Sequence, residues 1–323
     1  MIDDVTLRNG LELTLETTDL PAEKLGRLER GKVRDCYVDE AAGRRTIVVS
    51  DRLSAFDHVL GTVPFKGQVL NGMACYWFEQ SRAIVPNHLL AVPDPAVSVV
   101  RECKPFPVEM VLRGYLTGSS STSIWTHYAK GEREYCGHRL ADGLRKHEKL
   151  PKPLITPTTK AEHGAHDENI SAGEVVARGL CTADEWERLS ALCLELFAFG
   201  QRLAAERGLI LVDTKYELGR TPEGELIFID EIHTPDSSRY WYADSYEPAL
   251  RSGGDPRALD KEHVRRELVA RGYRGDGPPP AFDDALRIEA ARRYVEIYEV
   301  VTGRPFAPDL EPPIRRIRRN LGV

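Results

Sequence analysis

Two apolar runs dominate the pattern of hydrophobic and polar positions between residues 209 and 241. Leu209-Ile-Leu-Val-Asp213-Thr-Lys215-Tyr-Glu217 ends in charge, and Glu225-Leu-Ile-Phe-Ile-Asp230-Glu231 does the same. Pro222 and Gly224 lie between them, so the pattern predicts a β-hairpin. Side chains alternate along a strand, which puts Asp213, Lys215 and Glu217 on one face at steps of about 6–7 Å. Asp230 and Glu231 arrive on the returning strand.

Other elements follow from the same kind of reading. Short strand-like runs fill the first 105 residues, among them 45–50 and 97–101. Helical spacing covers 68–82, stopped before Pro86. Residues 108–113 read as a strand with Glu109, Val111 and Arg113 on one face, followed by a Gly/Ser corner and a helix over 123–129. Residues 147–171, with Pro151, Pro153 and Pro157, read as loop. The clearest helix starts at Thr182, where Glu185 completes a capping box, and Gly208 closes it. Its stripe of Trp186, Leu189, Leu192, Leu196 and Leu203 is core packing. After a linker at 252–256, helices are predicted over 256–271 and 283–301, separated by a Gly- and Pro-rich break. The expectation is an α+β chain in three parts: a strand-rich N-terminal lobe (1–105), a central α+β lobe (106–250) and a helical C-terminal region (251–323) packed on the central lobe.

Charged clusters then narrow the chemistry. A lysine among carboxylates on a rigid hairpin suits Mg²⁺ and polyphosphate: the acids hold the metal, and metal and lysine hold the phosphates. Solvated or cross-paired charges would give the same pattern. Gly31-Lys32-Val33-Arg34 lacks the Gly-x-x-x-x-Gly-Lys-Ser/Thr phosphate loop, but puts two basic residues on one strand face. Ser50-Asp51-Arg52-Leu53-Ser54 follows a buried-type strand, as a polar site or equally as a turn stabilised by its own side chains. Gly118-Ser119-Ser120 beside Arg113 favours an anion site, with amides, hydroxyls and a guanidinium converging. Lys160 and Asp167 matter only if their polar loop covers the site. Arg239, in Asp236-Ser-Ser-Arg239-Tyr-Trp241, is close enough in sequence to turn back toward Asp230. The basic run 315–319 reads as a solvated or acid-paired surface.

Composition removes some function classes. The 323 residues are 41% hydrophobic and 29% charged, ordinary for a globular protein. A net charge of −6 argues against general nucleic-acid binding. No stretch approaches the roughly 18 apolar residues of a membrane span, and the acidic start lacks the features of a secretory signal. The six cysteines form no Cys-x-x-Cys pair, so reduced thiols and a cytoplasmic location are expected.

Six motifs in order carry a family likeness: Gly31-Lys-Val-Arg-Asp35, Ser50-Asp-Arg-Leu-Ser-Ala-Phe-Asp57, Val111-Leu-Arg-Gly-Tyr-Leu-Thr-Gly-Ser119, His166-Asp-Glu-Asn-Ile-Ser171, Leu211-Val-Asp-Thr-Lys-Tyr-Glu217, and Ile229-Asp-Glu231 running through Asp236-Ser-Ser-Arg-Tyr-Trp241. Over residues 25–245 the chain resembles the SAICAR synthetases of purine biosynthesis, in their longer single-function form; beyond 250 the match is loose. Cys36 stands where relatives often carry an aliphatic residue. The resemblance implies a SAICAR synthase-like fold related to the ATP-grasp enzymes. It implies ATP-dependent ligation of the carboxylate of carboxyaminoimidazole ribonucleotide (CAIR) to L-aspartate, with Mg²⁺. By likeness, Lys32 and Arg34 lie over ATP, Glu109 near the adenine and Lys215 near the phosphates. Glu217 and Asp230 match the Mg²⁺ carboxylates and, with Lys215, form the catalytic set. Arg113, Ser119 and Arg239 match groups around the CAIR phosphate. Ser120, Asp213, Asp236, Lys160 and Asp167 complete the expected substrate set. The expected partners are small molecules, with no nucleic acid or membrane, for a monomer or small homo-oligomer. A small-molecule kinase on a related scaffold would present the same acids and lysines, and so would a non-catalytic nucleotide-binding protein.

Overall fold

The computed structural model describes residues 2–55, 58–120, 122–160, 168–259, 262–273 and 277–323. Two antiparallel sheets organise them. The first has five strands in the order Arg27–Arg30, Arg34–Asp39, Arg44–Val49, Val97–Arg101, Leu89–Asp94. The second is built round one long strand, Leu209–Arg220, which pairs with Val108–Tyr115, Leu226–Ile229, Ser238–Tyr242 and Lys104–Pro105. The chain thus crosses from the first sheet to the second between Arg101 and Lys104.

The predicted hairpin is present. Its turn closes with Gly224 N–H donating to the Thr221 carbonyl at 2.9 Å, and Gly224 takes the left-handed φ of 88° that a side chain would resist. Helix Ala183–Glu206 starts at the predicted box: the Thr182 hydroxyl accepts from Glu185 N–H, and the Glu185 carboxylate accepts from Thr182 N–H at 2.9 Å. Its apolar side, including Leu189, Leu196 and Phe197, is buried in the main core beneath the long strand. Helix Lys66–Ser81 is buried on most of its circumference, between the first sheet and helix Asp284–Thr302.

Three expectations change. Residues 147–171 are not all loop: Lys149–Ile155 and Thr158–Thr159 both pair with Val108–Tyr115. Pro151 and Pro153 misled because they sit in an edge strand with an irregular register, where a missing N–H breaks no ladder. Helix Ala243–Ser252 was hidden by its internal Pro248, and the helix expected over 256–271 is the shorter Glu262–Ala270. The basic tail forms helix Pro313–Leu321, in which Arg316 is buried against Asp94.

The expected packing of 251–323 on the central part covers only some of its contacts. Tyr294 O–H donates to Asp236 at 2.8 Å and Tyr242 O–H to Glu296 at 2.7 Å, which ties the region to the second sheet. The same region packs on Lys66–Ser81 and Leu89–Asp94, so it straddles both parts. No helix among the described residues is long and apolar enough to cross a membrane.

Candidate active site

The long strand supplies one ordered row of charge. Register pairs Asp213 with Arg113 on one side and with Arg239 on the other. Directly opposed residues on neighbouring strands share a face, so Arg113, Asp213 and Arg239 form a line across three strands. Arg239 Nε donates to Asp213 Oδ1 at 2.8 Å and its Nη2 to Oδ2, a forked pair. Arg113 is buried, donating through Nε to Thr156 Oγ1 at 2.9 Å and through Nη2 to the Tyr135 hydroxyl at 3.4 Å. One and two alternate positions further along the same face come Lys215 and Glu217.

Those two belong to a chain of ion pairs. Lys215 Nζ donates to Glu109 Oε1 at 2.7 Å and to Glu217 Oε1 at 2.8 Å, while Lys160 Nζ reaches Glu217 Oε2. Burial disfavours the Glu217 carboxylate, but Lys215 and Lys160 outweigh it and bring its pKa down to about 2. Lys215 is raised above its ordinary value: burial works against its charge, and Glu217, Glu109 and Asp230 prevail.

Asp230 follows strand Leu226–Ile229, whose register sets Ile229 opposite Glu217. Its φ of 66° is left-handed, which Asp and Asn tolerate better than most residues. Arg34, from the first sheet, pairs with Asp230 and with Glu231, the latter at 2.9 Å. Burial, with Glu217 and Glu231 nearby, overcomes Arg34 and pushes the Asp230 carboxyl up to about 6.

Between the sheets lies a cavity of about 690 Å³. Gly31, Lys32, Val33 and Arg34 line it from one sheet, and Lys160, Glu217, Ile229 and Asp230 from the other. Its apolar wall includes Ile47, Val100 and Pro105. A cavity of this size, with an apolar wall beside acids and cations, has the room and the chemistry for a nucleotide.

The predicted residues therefore separate into two adjoining groups. Lys32, Arg34, Lys160, Glu217 and Asp230 face the cavity, with Lys215 next to them. Arg113, Asp213 and Arg239 form the row, and exposed Ser119 and Ser120 lie on the corner after Tyr115. Glu109 sits between Thr158 and Lys215 and is absent from the cavity wall. Asp236 is bonded to Lys66 at 3.2 Å and to Tyr294. Asp167 lies outside the described residues.

The open question at Ser50-Asp51-Arg52 resolves toward structure. Both Asp51 oxygens accept backbone N–H groups, from Leu15 at 2.6 Å and Gly67 at 2.7 Å. Arg52 donates to the carbonyls of Lys32 at 2.9 Å and Gly31 at 3.0 Å, to that of Glu16, and to Asp35 at 2.8 Å. It fastens the turn that carries Lys32. Pattern reading missed Arg45 and His88 on the cavity wall. Neither stands in a motif; Arg45, on strand Arg44–Val49, and His88, just before strand Leu89–Asp94, come together only through the strand Val97–Arg101 that lies between them. Burial, with Arg34, Arg45 and Arg101 adding to it, takes the His88 pKa down to about 3, so the ring is neutral.

Two antiparallel sheets thus line a charged cleft large enough for a nucleotide. The model for the SAICAR synthetase family matches residues 27–279, and the chain belongs to that family. The chain is 47% identical over 311 residues to the phosphoribosylaminoimidazole-succinocarboxamide synthase of Legionella pneumophila, with 95% of this chain and 97% of that one covered. A Bacteroides thetaiotaomicron protein of the same name is 45% identical over 314 residues, covering 96% and 97%. Among solved structures, SAICAR-synthase from Saccharomyces cerevisiae complexed with SAICAR is 30% identical with a TM-score of 0.78, covering 91% of this chain and all (100%) of that one.

Proposed function

We propose that this cleft joins the carboxylate of CAIR to the amine of L-aspartate, with ATP as the source of driving force. A carboxylate is anionic and has a poor leaving group, so an amine does not displace its oxygen. Transfer of the γ-phosphoryl group to a carboxylate oxygen gives an acyl phosphate and ADP. The neutral aspartate nitrogen then attacks the carbonyl carbon, the C–O bond to phosphate breaks, phosphate leaves and the nitrogen loses its proton. The observation that carries this reading is the shared face of one strand: the Arg113–Asp213–Arg239 row adjoins Lys215 and Glu217, so acceptor and donor would meet without either moving far.

Lys32, Arg34, Lys215 and Lys160 then bind the triphosphate, with Lys215, Glu217 and Asp230 as the catalytic set. Arg113, Ser119, Ser120 and Arg239 hold the imidazole nucleotide, and Asp213 orients Arg239. Asp236 contributes from behind by fixing the chain before Arg239. Glu217 and Asp230 fit Mg²⁺: they offer hard oxygens from adjacent elements, and their mutual repulsion is what a divalent cation relieves. The metal would supply charge to offset the phosphates. Lys160, in the described part of the 158–171 segment, lines the cavity, which supports a role in excluding water from a hydrolysable intermediate. We read residues 1–105 as the covering lobe, 106–250 as the lobe bearing the site and 251–323 as the brace across both. The setting is the cytoplasm, for a monomer or small homo-oligomer working on small molecules without nucleic acid or membrane.

The test is a coupled assay with ATP, CAIR and aspartate, each omitted in turn. Succinocarboxamide product should need all three. Stoichiometric ADP release with a single hydroxyl substrate would instead identify a kinase.

A further inference from the structure

We propose that His147, oriented by Asp255, is a positioning residue that fixes the 116–120 corner beside Arg239 and so presets the pocket for the imidazole nucleotide. The inference rests on the reading of Arg239 and that corner given above.

Backbone bonds first dock the two segments. His147 N–H donates to the Leu116 carbonyl at 2.7 Å, and Leu116 N–H to the Glu148 carbonyl at 2.8 Å. His147 holds a left-handed φ of 68°, unusual for a residue with a side chain, which points its ring inward. The residue is 6% exposed. Its Nε2 lies 2.7 Å from Asp255 Oδ1 and its Nδ1 lies 2.9 Å from Thr117 Oγ1. An ionised carboxylate only accepts, so the Asp255 contact puts the proton on Nε2. Nδ1 is then an acceptor, and the Thr117 hydroxyl donates to it. Burial chiefly keeps this imidazole below its ordinary pKa; Asp255 opposes that, and Lys146 and Arg239 add to it.

Trp241 meets the ring edge-on, with centroids 5.2 Å apart, and the Tyr246 hydroxyl donates to the His147 carbonyl at 3.1 Å. The imidazole is therefore fixed by Asp255, Thr117 and Trp241, and Thr117 with it. The next residue, Gly118, has φ of 113°, and a Cβ there would collide with Ser123 Cβ and lie 3.4 Å from Arg239 Nη1. The space beside Gly118 is thus bounded by Ser123 and the Arg239 guanidinium, next to the Thr117 anchor. His147 is absent from the cavity wall, and its ring meets the 116–120 corner at Thr117. Ordering a polar corner before the ligand arrives lowers the entropy lost on binding.

Steady-state kinetics on the full chain test this, with thermal unfolding of every variant. His147→Ala should raise KM for CAIR about five- to tenfold, the scale of one lost hydrogen bond, with kcat and KM for ATP within about twofold. His147→Asn should recover most of the loss, because its amide oxygen can stand where Nδ1 stood and Asn accepts the left-handed backbone. Asp255→Ala should give a smaller rise of the same kind. If His147→Ala does not fold, Thr117→Val removes the same bond without backbone strain and should show the same CAIR-specific rise. Parallel rises in KM for CAIR and ATP, or no rise in any folded variant, overturn the proposal. Arg239→Ala separates the two layers. An unchanged KM for CAIR there overturns the underlying pocket, whereas a raised one beside normal His147 and Thr117 variants overturns this inference alone.

Discussion

Asp230 is the side chain on which the proposed Mg²⁺ role most depends. It is partly buried, left-handed, next to two other acids and paired with Arg34 from the opposite sheet. Asn keeps its shape and suits its backbone, so Asp230→Asn should fold with wild-type stability to within a few tenths of a kcal/mol, about 1 °C in Tm. It should nevertheless lose more activity than the roughly 10–100-fold that outer-shell changes cost a metal site, and Mg²⁺ titration should not restore it. Near-normal turnover at ordinary Mg²⁺ would remove Asp230 from the metal. Asp51 behaves oppositely. Both of its oxygens already accept backbone N–H groups, so Asp51→Asn sets an amide N–H₂ against an N–H donor. A stability loss of about 1–3 kcal/mol in urea is expected, with little change in KM for either nucleotide once folded. The two aspartates look alike in sequence, since each ends an apolar strand run. Only their partners tell them apart.

The turn 31–33 shows how a neighbouring segment places a functional group. Arg52 ties the carbonyls of Gly31 and Lys32 and also pairs with Asp35, which is fully buried. Burial alone would raise the Asp35 carboxyl, but the Arg52 pair and the Thr18 bonds hold it below its ordinary 3.8. A carboxylate with a depressed folded pKa stabilises above its unfolded value and loses that stabilisation as pH falls through the folded one. Arg52→Ala leaves this buried charge with the longer Arg30 contact, at 3.5 Å, and its Thr18 bonds, a loss of about 1–3 kcal/mol. Its acid-unfolding midpoint should move to higher pH, and KM for ATP should rise as Lys32 loses its support. An unmoved midpoint would show that Asp35 does not depend on Arg52. Among the elements, those with local signals were legible. Helix Ala183–Glu206 announces itself through Thr182, Glu185 and Gly208, and the 209–229 hairpin through alternation and its turn. Strand Lys149–Ile155 was not legible, because edge position excuses its prolines and edge position is a fact about neighbours.

Across the whole molecule, the cleft depends on contacts between residues far apart in the chain. Arg34 and Asp230 are separated by 196 positions, and Arg316 and Asp94 by 222. The latter pair is fully buried, at 2.9 Å, with Asn320 Nδ2 also donating to Asp94 at 2.8 Å. It clips helix Pro313–Leu321 to the edge strand Leu89–Asp94. Arg316→Ala should therefore cost about 3–5 kcal/mol and speed amide exchange in that helix and strand first. Uniform exchange changes throughout the chain would contradict a local clip.

By itself the sequence determined the chemistry available and its grouping: which residues carry charge, which runs alternate, where helices are capped, and six motifs whose order marks the family. Those signals are local, because propensity, periodicity and capping act over a few residues. Tertiary structure alone decided that Arg113 and Arg239 flank Asp213, that Arg34 crosses to Asp230, that Arg52 serves the fold, and that the basic tail buries one of its arginines. Register between distant strands and the packing of sheet on sheet come from burying the whole chain's apolar surface at once, and no short window of residues contains that sum.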